Sequence, residues 1–203
     1  MEHIQNGRSV WAGVLIGIGG CANLYSPIKL LGAALFSIGL IAVMIENCSL
    51  YTGKIGFIRH KSELLILAEM LLGNIIGALL IGQLLSPLLF LKANEIMIQK
   101  LSVSWDIWFI KSVMCGILIY LAVDMFNKYK SLLVVILPVF VFVMCGFDHC
   151  IENVFYLSVS KIISFKAIGF IITCIIGNTI GSLIATVLQN VIRKDCNKIK
   201  NNK

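Results

Sequence analysis

Apolar residues run almost unbroken along this chain, and the polar positions gather into a few gaps. Cutting at those gaps leaves six apolar segments, at about 10–24, 30–57, 64–91, 107–126, 132–157 and 167–192. A helix that crosses a hydrocarbon core of ~30 Å needs ~17–25 residues. The pattern therefore predicts an all-α integral membrane protein of six transmembrane helices, with the whole of 1–203 forming one transmembrane domain. The first segment is short for a crossing, so its helix is expected to begin earlier, inside the polar tail. The second, third, fifth and sixth exceed the requirement, which predicts tilt or interruption.

Composition strengthens this picture. Hydrophobic residues make up 59% of the 203 and charged residues 13%, with a mean hydropathy of +0.94, whereas soluble domains average roughly 45–50% and ~25%. No separate soluble domain fits in what remains. The net charge of +7 sits mostly at the ends of the segments, which argues against a nucleic-acid partner. With both termini inside, eleven of the 17 Lys and Arg fall on the cytoplasmic side: Arg8, Lys54, Arg59, Lys61, Lys128, Lys130, Arg193, Lys194, Lys198, Lys200 and Lys203. Five fall outside, Lys29, Lys92, Lys100, Lys161 and Lys166. The excess inside predicts cytoplasmic termini. No cleavable leader is evident in MEHIQNGRSV, and the usage of Ile, Lys and Asn suggests an AT-rich bacterial source, so the expected location is a bacterial cytoplasmic (inner) membrane. The seven cysteines include no C-x-x-C pair and suggest neither a disulfide framework nor a metal site. No cofactor is implied. His3 and His60 lie in polar segments and are read as incidental.

The sequence also repeats itself. GNIIGALLIGQLL at 73–85 matches GNTIGSLIATVLQ at 177–189 at the Gly, Asn, Ile and Leu positions. The two lie three spans apart, and since three is odd, the second half must enter the membrane from the opposite face. This predicts an inverted 3+3 repeat, an architecture common among solute carriers. The spacings Gly73/Gly77, Gly177/Gly181 and Gly13/Gly17 allow close helix approach.

Four polar residues, Asp148, His149, Glu152 and Asn153, interrupt the fifth span, and I-E-N recurs at 45–47 in the second and 151–153 in the fifth. The second and fifth helices are thus expected to be broken, with their freed backbone groups facing a protein-lined cavity. Half-helix N-termini there would add positive dipole ends suited to an anion.

Five stretches then fall into a recognisable order: L-F-S-I-G-L at 35–40, S-L-Y-T-G at 49–53, C-G-I-L-I-Y-L-A-V at 115–123, G-F-D-H-C-I-E-N at 146–153 and G-N-x-I-G at 177–181. In that combination the chain resembles the formate/nitrite transporter family along nearly its whole length. The resemblance implies a homopentamer in which each protomer carries an aquaporin-like, hourglass-shaped pore for small monovalent anions. It implies that Thr52 on the broken second helix faces His149 on the broken fifth. Phe36 and Leu40 would constrict the pore towards one mouth, and Leu50 with Phe142 nearer the other. Lys100, sixteen positions before Gly116, would draw anions into the vestibule, and Asn153 also matches.

The sequence departs from the family pattern at Gly116 and Lys54, where an Asn is usual, and at Ser49 and Asp148, where a Glu is usual. Glu46, Glu152 and Asp124 stand where apolar or small residues are preferred. Glu46 and Glu152 are expected to pair with Lys, to titrate or to sit at helix ends. Asp148 either orients His149 or caps a half-helix.

An anion entering an apolar constriction loses several kcal/mol of hydration, and a weak acid escapes this by taking a proton. The expected function is therefore passive or proton-coupled transport of formate, nitrite, hydrosulfide or a similar weak-acid anion. His149 would either donate the proton or orient the substrate while water donates. The alternative is a non-conducting or degenerate member acting as a membrane scaffold. A membrane-embedded enzyme built on Asp148, His149 and Glu152 fits poorly, since these residues cannot all point one way on a regular helix and no second ligand cluster completes a metal site. The N-P-A repeats of water and glycerol channels are absent.

Overall fold

In the computed structural model the backbone of residues 2–201 and the side chains of residues 7–193 are described. His3, Lys194, Cys196, Lys198, Lys200 and Lys203 lie outside the described side chains. Within these bounds every regular element is helical: α1 (Glu2–Tyr25), α2 (Lys29–Ile45), α3 (Tyr51–Lys54, continued by a 3-10 turn at Ile55–Phe57), α4 (Glu63–Ser102), α5 (Trp105–Tyr129), α6 (Leu133–Met144), α7 (Cys150–Ser160) and α8 (Phe165–Asn201). Three stretches, Glu63–Ser102, Trp105–Tyr129 and Phe165–Arg193, are long and apolar enough to cross a membrane. The pair α6 and α7, bent by 53° at a short gap, is long and apolar enough only when the two are taken together.

The main departure from the hydropathy pattern is α4. The pattern ends the third apolar segment at Leu91, yet the helix continues to Ser102 and only Val103 and Ser104 separate it from α5. The segment LKANEIMIQKL contains neither Gly nor Pro and is rich in good helix formers. A change in hydropathy there is not a change in backbone preference. At ~1.5 Å per residue, 40 residues make a rod about twice as long as the hydrocarbon core is thick. Lys100 consequently sits in the last turn of a helix rather than in a loop.

Helix pairing is two-fold in pattern. α1 packs on α2 and α4, α5 packs on α6 and α8, and α2 meets α6. The crossings are closed by glycine at matching places. A Cβ at Gly77 would lie 2.0 Å from the Val10 carbonyl oxygen, and one at Gly181 would lie 2.0 Å from that of Val113. Gly13 and Gly116 likewise abut the carbonyls of Asn74 and Asn178, at 2.1 and 2.2 Å. Gly116 is therefore a packing residue, and the Asn usual at that position has no room on this backbone. Outside the bundle, Leu65, Leu84, Leu88 and Leu91 are among many large apolar side chains left exposed, the inverse of a soluble surface and suited to lipid or to neighbouring subunits.

Candidate functional site

Two interruptions, at residues 46–50 and 145–149, position the centre of the molecule. Both begin with the same local chemistry. At the end of α2, Asn47 takes a left-handed conformation (φ 51°), its N–H bonds the Met44 carbonyl at 3.4 Å and the Cys48 N–H bonds the Val43 carbonyl at 2.9 Å. At the end of α6, Gly146 (φ 66°) bonds the Val143 carbonyl at 3.1 Å and the Phe147 N–H bonds that of Phe142 at 2.9 Å. These are two Schellman closures, each using a residue type that tolerates positive φ. The structural counterpart of Ile45–Glu46–Asn47 is thus Met144–Cys145–Gly146. The second I-E-N, at 151–153, lies inside α7 and is not equivalent to the first.

The chain then turns back and restarts, and the new helix ends need partners for their free N–H groups. Asn74 and Asn178 supply them. The side chain of Asn74 accepts from the Tyr51 N–H at 2.8 Å and donates to the carbonyls of Ser9 and Ser49 at 2.7 and 2.8 Å. That of Asn178 accepts from the Cys150 N–H at 2.9 Å and donates to the carbonyls of Ser112 and Asp148 at 2.8 and 2.9 Å. Each amide ties a restarted helix to the long helix of its own half. The sequence reading missed both, although they occupy the second position of the repeated G-N-x-I-G. An amide in an apolar helix, repeated in register, was the available signal, because a buried amide has to be bonded to something.

Held in this way, the two restarts meet. Thr52 Oγ1 lies 2.9 Å from His149 Nε2, and both residues are 1% exposed. His149 is itself the N-cap of α7, where its Nδ1 accepts from the Glu152 N–H at 3.3 Å. That bond decides the tautomer: Nδ1 carries the lone pair, so Nε2 carries the hydrogen and donates it to Thr52 Oγ1. The hydroxyl hydrogen of Thr52 remains free to serve another acceptor. Asp148, expected to orient His149 or to cap the helix, does neither. Its Oδ1 pairs with Lys100 Nζ and accepts from Asn153 Nδ2 at 3.2 Å. Lys100, which the resemblance implies draws anions into the vestibule, is largely buried against this carboxylate. Asn153 Nδ2 also reaches Cys174 Sγ at 3.7 Å, while its Oδ1 has no hydrogen-bond partner among the described residues.

Apolar side chains stand on both sides of the Thr52–His149 contact, in a different pairing from that expected. Phe36 and Phe142 meet edge to face with centroids 5.3 Å apart, and Phe142 stacks on His149 at 6.1 Å. Leu40 and Leu50 instead share a small cavity of about 70 Å³ with Val43, Gly53, Lys54 and Lys130. Phe36 and Leu40 are one turn apart on α2, so they share a face but stand at different depths. α6 brings Phe142 level with Phe36, and the returning chain brings Leu50 level with Leu40. A cavity of about 620 Å³, bordered by Val143, Gly146 and Phe147 just after Phe142 in the chain, is lined by Asn23, Lys29, Lys92, Lys100, Lys111, Glu152 and Tyr156, among others.

The remaining acidic residues also find places. Asp124 pairs with Arg193 at 2.5 Å, and Glu46 is the exposed C-cap of α2. Glu152 is buried in the first turn of α7 and accepts from the Tyr156 hydroxyl at 2.5 Å. No cluster of three or more His, Cys, Asp or Glu able to hold a metal occurs among the described residues.

The architecture and the site together are those of a membrane-embedded bundle with two restarted helices meeting at its centre, and comparison with known proteins identifies the group. The family model described as formate/nitrite transporter matches residues 6–192, and this chain belongs to that family. The formate channel FocA of Haemophilus influenzae is 27% identical over 151 residues, covering 63% of this chain and 52% of the relative. The uncharacterized transporter YrhG of Bacillus subtilis is 28% identical over 181 residues, covering 77% of this chain and 68% of the relative. The chain thus spans about half to two thirds of the length of these relatives. Among solved structures, a pentameric formate channel with formate bound superposes with a TM-score of 0.79 at 23% identity, covering 97% of each chain. An ion channel of the same family superposes with a TM-score of 0.75, also at 23% identity, covering 90% of this chain and 85% of the other. These neighbours are channels and transporters, not enzymes.

Proposed function

We propose that this protein carries a small monovalent weak-acid anion, such as formate, nitrite or hydrosulfide, across the cytoplasmic membrane of a bacterium, through a pore in each protomer of a homopentamer. The chain crosses six times as an inverted 3+3 repeat with both termini cytoplasmic, and its second and fifth spans are the interrupted ones. The matching helix pairs, glycine crossings, Schellman closures and Asn anchors of the two halves support this arrangement. The relatives and structural neighbours, described as formate channels and ion channels of this family, support the cargo.

The observation that carries the reading is the Thr52–His149 contact, made by two restarted helices inside a bundle otherwise lined with apolar side chains. With the N-terminus inside, the 620 Å³ cavity is the outer mouth, Phe36 and Phe142 form the outer constriction, and Leu40 and Leu50 form the inner one. The Phe36 and Phe142 rings offer no hydrogen bond, so a bare anion between them gives up hydration without replacement. Between the two constrictions the Thr52 hydroxyl presents a free hydrogen, and the positive end of α7 points at the same place. A weak-acid anion stays bonded here or crosses as its neutral acid. Chloride, with no accessible neutral form, passes poorly. Lys100 contributes to capture only in part, because Asp148 neutralises it.

The test is flux into proteoliposomes of formate, nitrite, hydrosulfide and chloride, for the wild type and His149→Ala, with internal pH recorded. Weak-acid flux well above that of chloride, altered in rate or proton coupling by the substitution, supports the reading. A folded wild type that moves no weak acid refutes it and favours the scaffold alternative.

A further inference from the structure

We propose that Glu152, held by Tyr156 and Asn23, is a proton-donating anion-binding site in the outer cavity, ahead of the Phe36–Phe142 constriction. The proposal rests on the transport reading above and adds to it a residue and a step.

The geometry starts with a one-way chain of hydrogen bonds. Asn23 Nδ2 donates to Tyr156 Oη at 2.9 Å, and Tyr156 Oη donates its single hydrogen to Glu152 Oε1 at 2.5 Å. The carboxyl group is thereby fixed through one oxygen, which leaves Oε2 as its working end. All three residues line the 620 Å³ cavity together with Lys100. Glu152 is 4% exposed, and no basic side chain pairs with it among the described residues, because the Lys100 ammonium is taken by Asp148.

Charge balance then favours a proton on Glu152. Lys100 on α4 and Asp148 on the 145–149 segment cancel. Near the carboxyl group, the other titratable groups are Tyr156 on α7 itself and Cys115 on α5, with Cys21 on α1 beside Tyr156, and His149, whose Nδ1 bonds the Glu152 N–H. Lys29, Lys92, Glu95 and Lys111 line the wider cavity. An ionised Glu152 would leave one unbalanced negative charge in a buried cluster, on the path of an incoming anion. A protonated Glu152 leaves the cluster neutral and turns an O–H towards the cavity.

The step balances simply. The O–H bond at Oε2 breaks and a bond forms between that proton and the bound anion, giving the neutral acid and a Glu152 carboxylate. The carboxylate is held meanwhile by the Tyr156 hydroxyl, and hydronium of the outer solution returns the proton. The neutral acid then faces the Phe pair without the penalty of a charge.

Infrared difference spectroscopy on the full chain in lipid tests the site independently of transport. We expect a carbonyl band of a protonated carboxyl group that disappears as pH rises, shifts on adding formate or nitrite, and is missing in Glu152→Gln. In flux assays corrected for ionisation of the substrate, wild-type uptake should fall by about tenfold per unit of external pH above its midpoint, as for a single essential proton. Glu152→Gln should show no such fall, and Tyr156→Phe should move the midpoint. An unchanged band or pH profile in Glu152→Gln, or a band insensitive to both anions, overturns the proposal. A band that behaves as expected in a protein that moves no weak acid refutes the transport reading instead and leaves the site standing.

Discussion

Asn178→Ala is the sharpest test of how the centre is built. The side chain is fully buried and makes three hydrogen bonds. The Ser112 carbonyl lies within α5 and keeps its helical partner, but the Cys150 N–H and the Asp148 carbonyl lose theirs. Each buried group left without a partner costs ~1–3 kcal/mol, so the substitution should destabilise the protein by about 2–6 kcal/mol before any cavity is counted. At ~2–4 °C per kcal/mol for a chain of this size, the unfolding midpoint in detergent should fall by several degrees or more. Asn74→Ala removes the equivalent bonds to Tyr51, Ser9 and Ser49 and should cost a similar amount. Flux should fall as well, since the start of α7 carries His149 into register with Thr52. His149→Ala, by contrast, should alter flux with a smaller loss of stability. A midpoint for Asn178→Ala within experimental error of the wild type would show that the restarted helix is held by something else.

Other substitutions separate packing from passage. Gly181→Ala places a methyl group 2.0 Å from the Val113 carbonyl oxygen, and since backbone cannot step aside it should destabilise by at least ~1–3 kcal/mol. Gly169→Ala meets nothing within 4 Å and should stabilise by about 0.5–1 kcal/mol; thermal unfolding of the two side by side checks both signs. Phe36→Ala opens the edge-to-face pair with Phe142 and should raise flux of a larger anion such as lactate relative to formate by roughly tenfold, read in competition assays.

The amino-acid sequence by itself determined the apolar segments, the repeat between 73–85 and 177–189 and the interruption around Asp148 and His149. Those features depend on runs, spacings and local backbone preference, which are properties of neighbours along the chain, whereas Thr52, His149, Phe36 and Phe142 were paired as site residues only through the family resemblance. Hydropathy failed where those properties diverge: 92–102 is polar yet remains helical, and I-E-N at 151–153 copies the letters of 45–47 without sharing their place. Only the tertiary structure decided that Phe36 pairs with Phe142 and that Leu40 and Leu50 line one cavity, that Asp148 neutralises Lys100, that Asn74 and Asn178 anchor the restarted helices, and that Tyr156 and Asn23 hold Glu152. Each of these contacts joins residues brought together by the crossing of helices from distant parts of the chain. Their energies come from burial and distance in space, and neither quantity exists until the helices have packed.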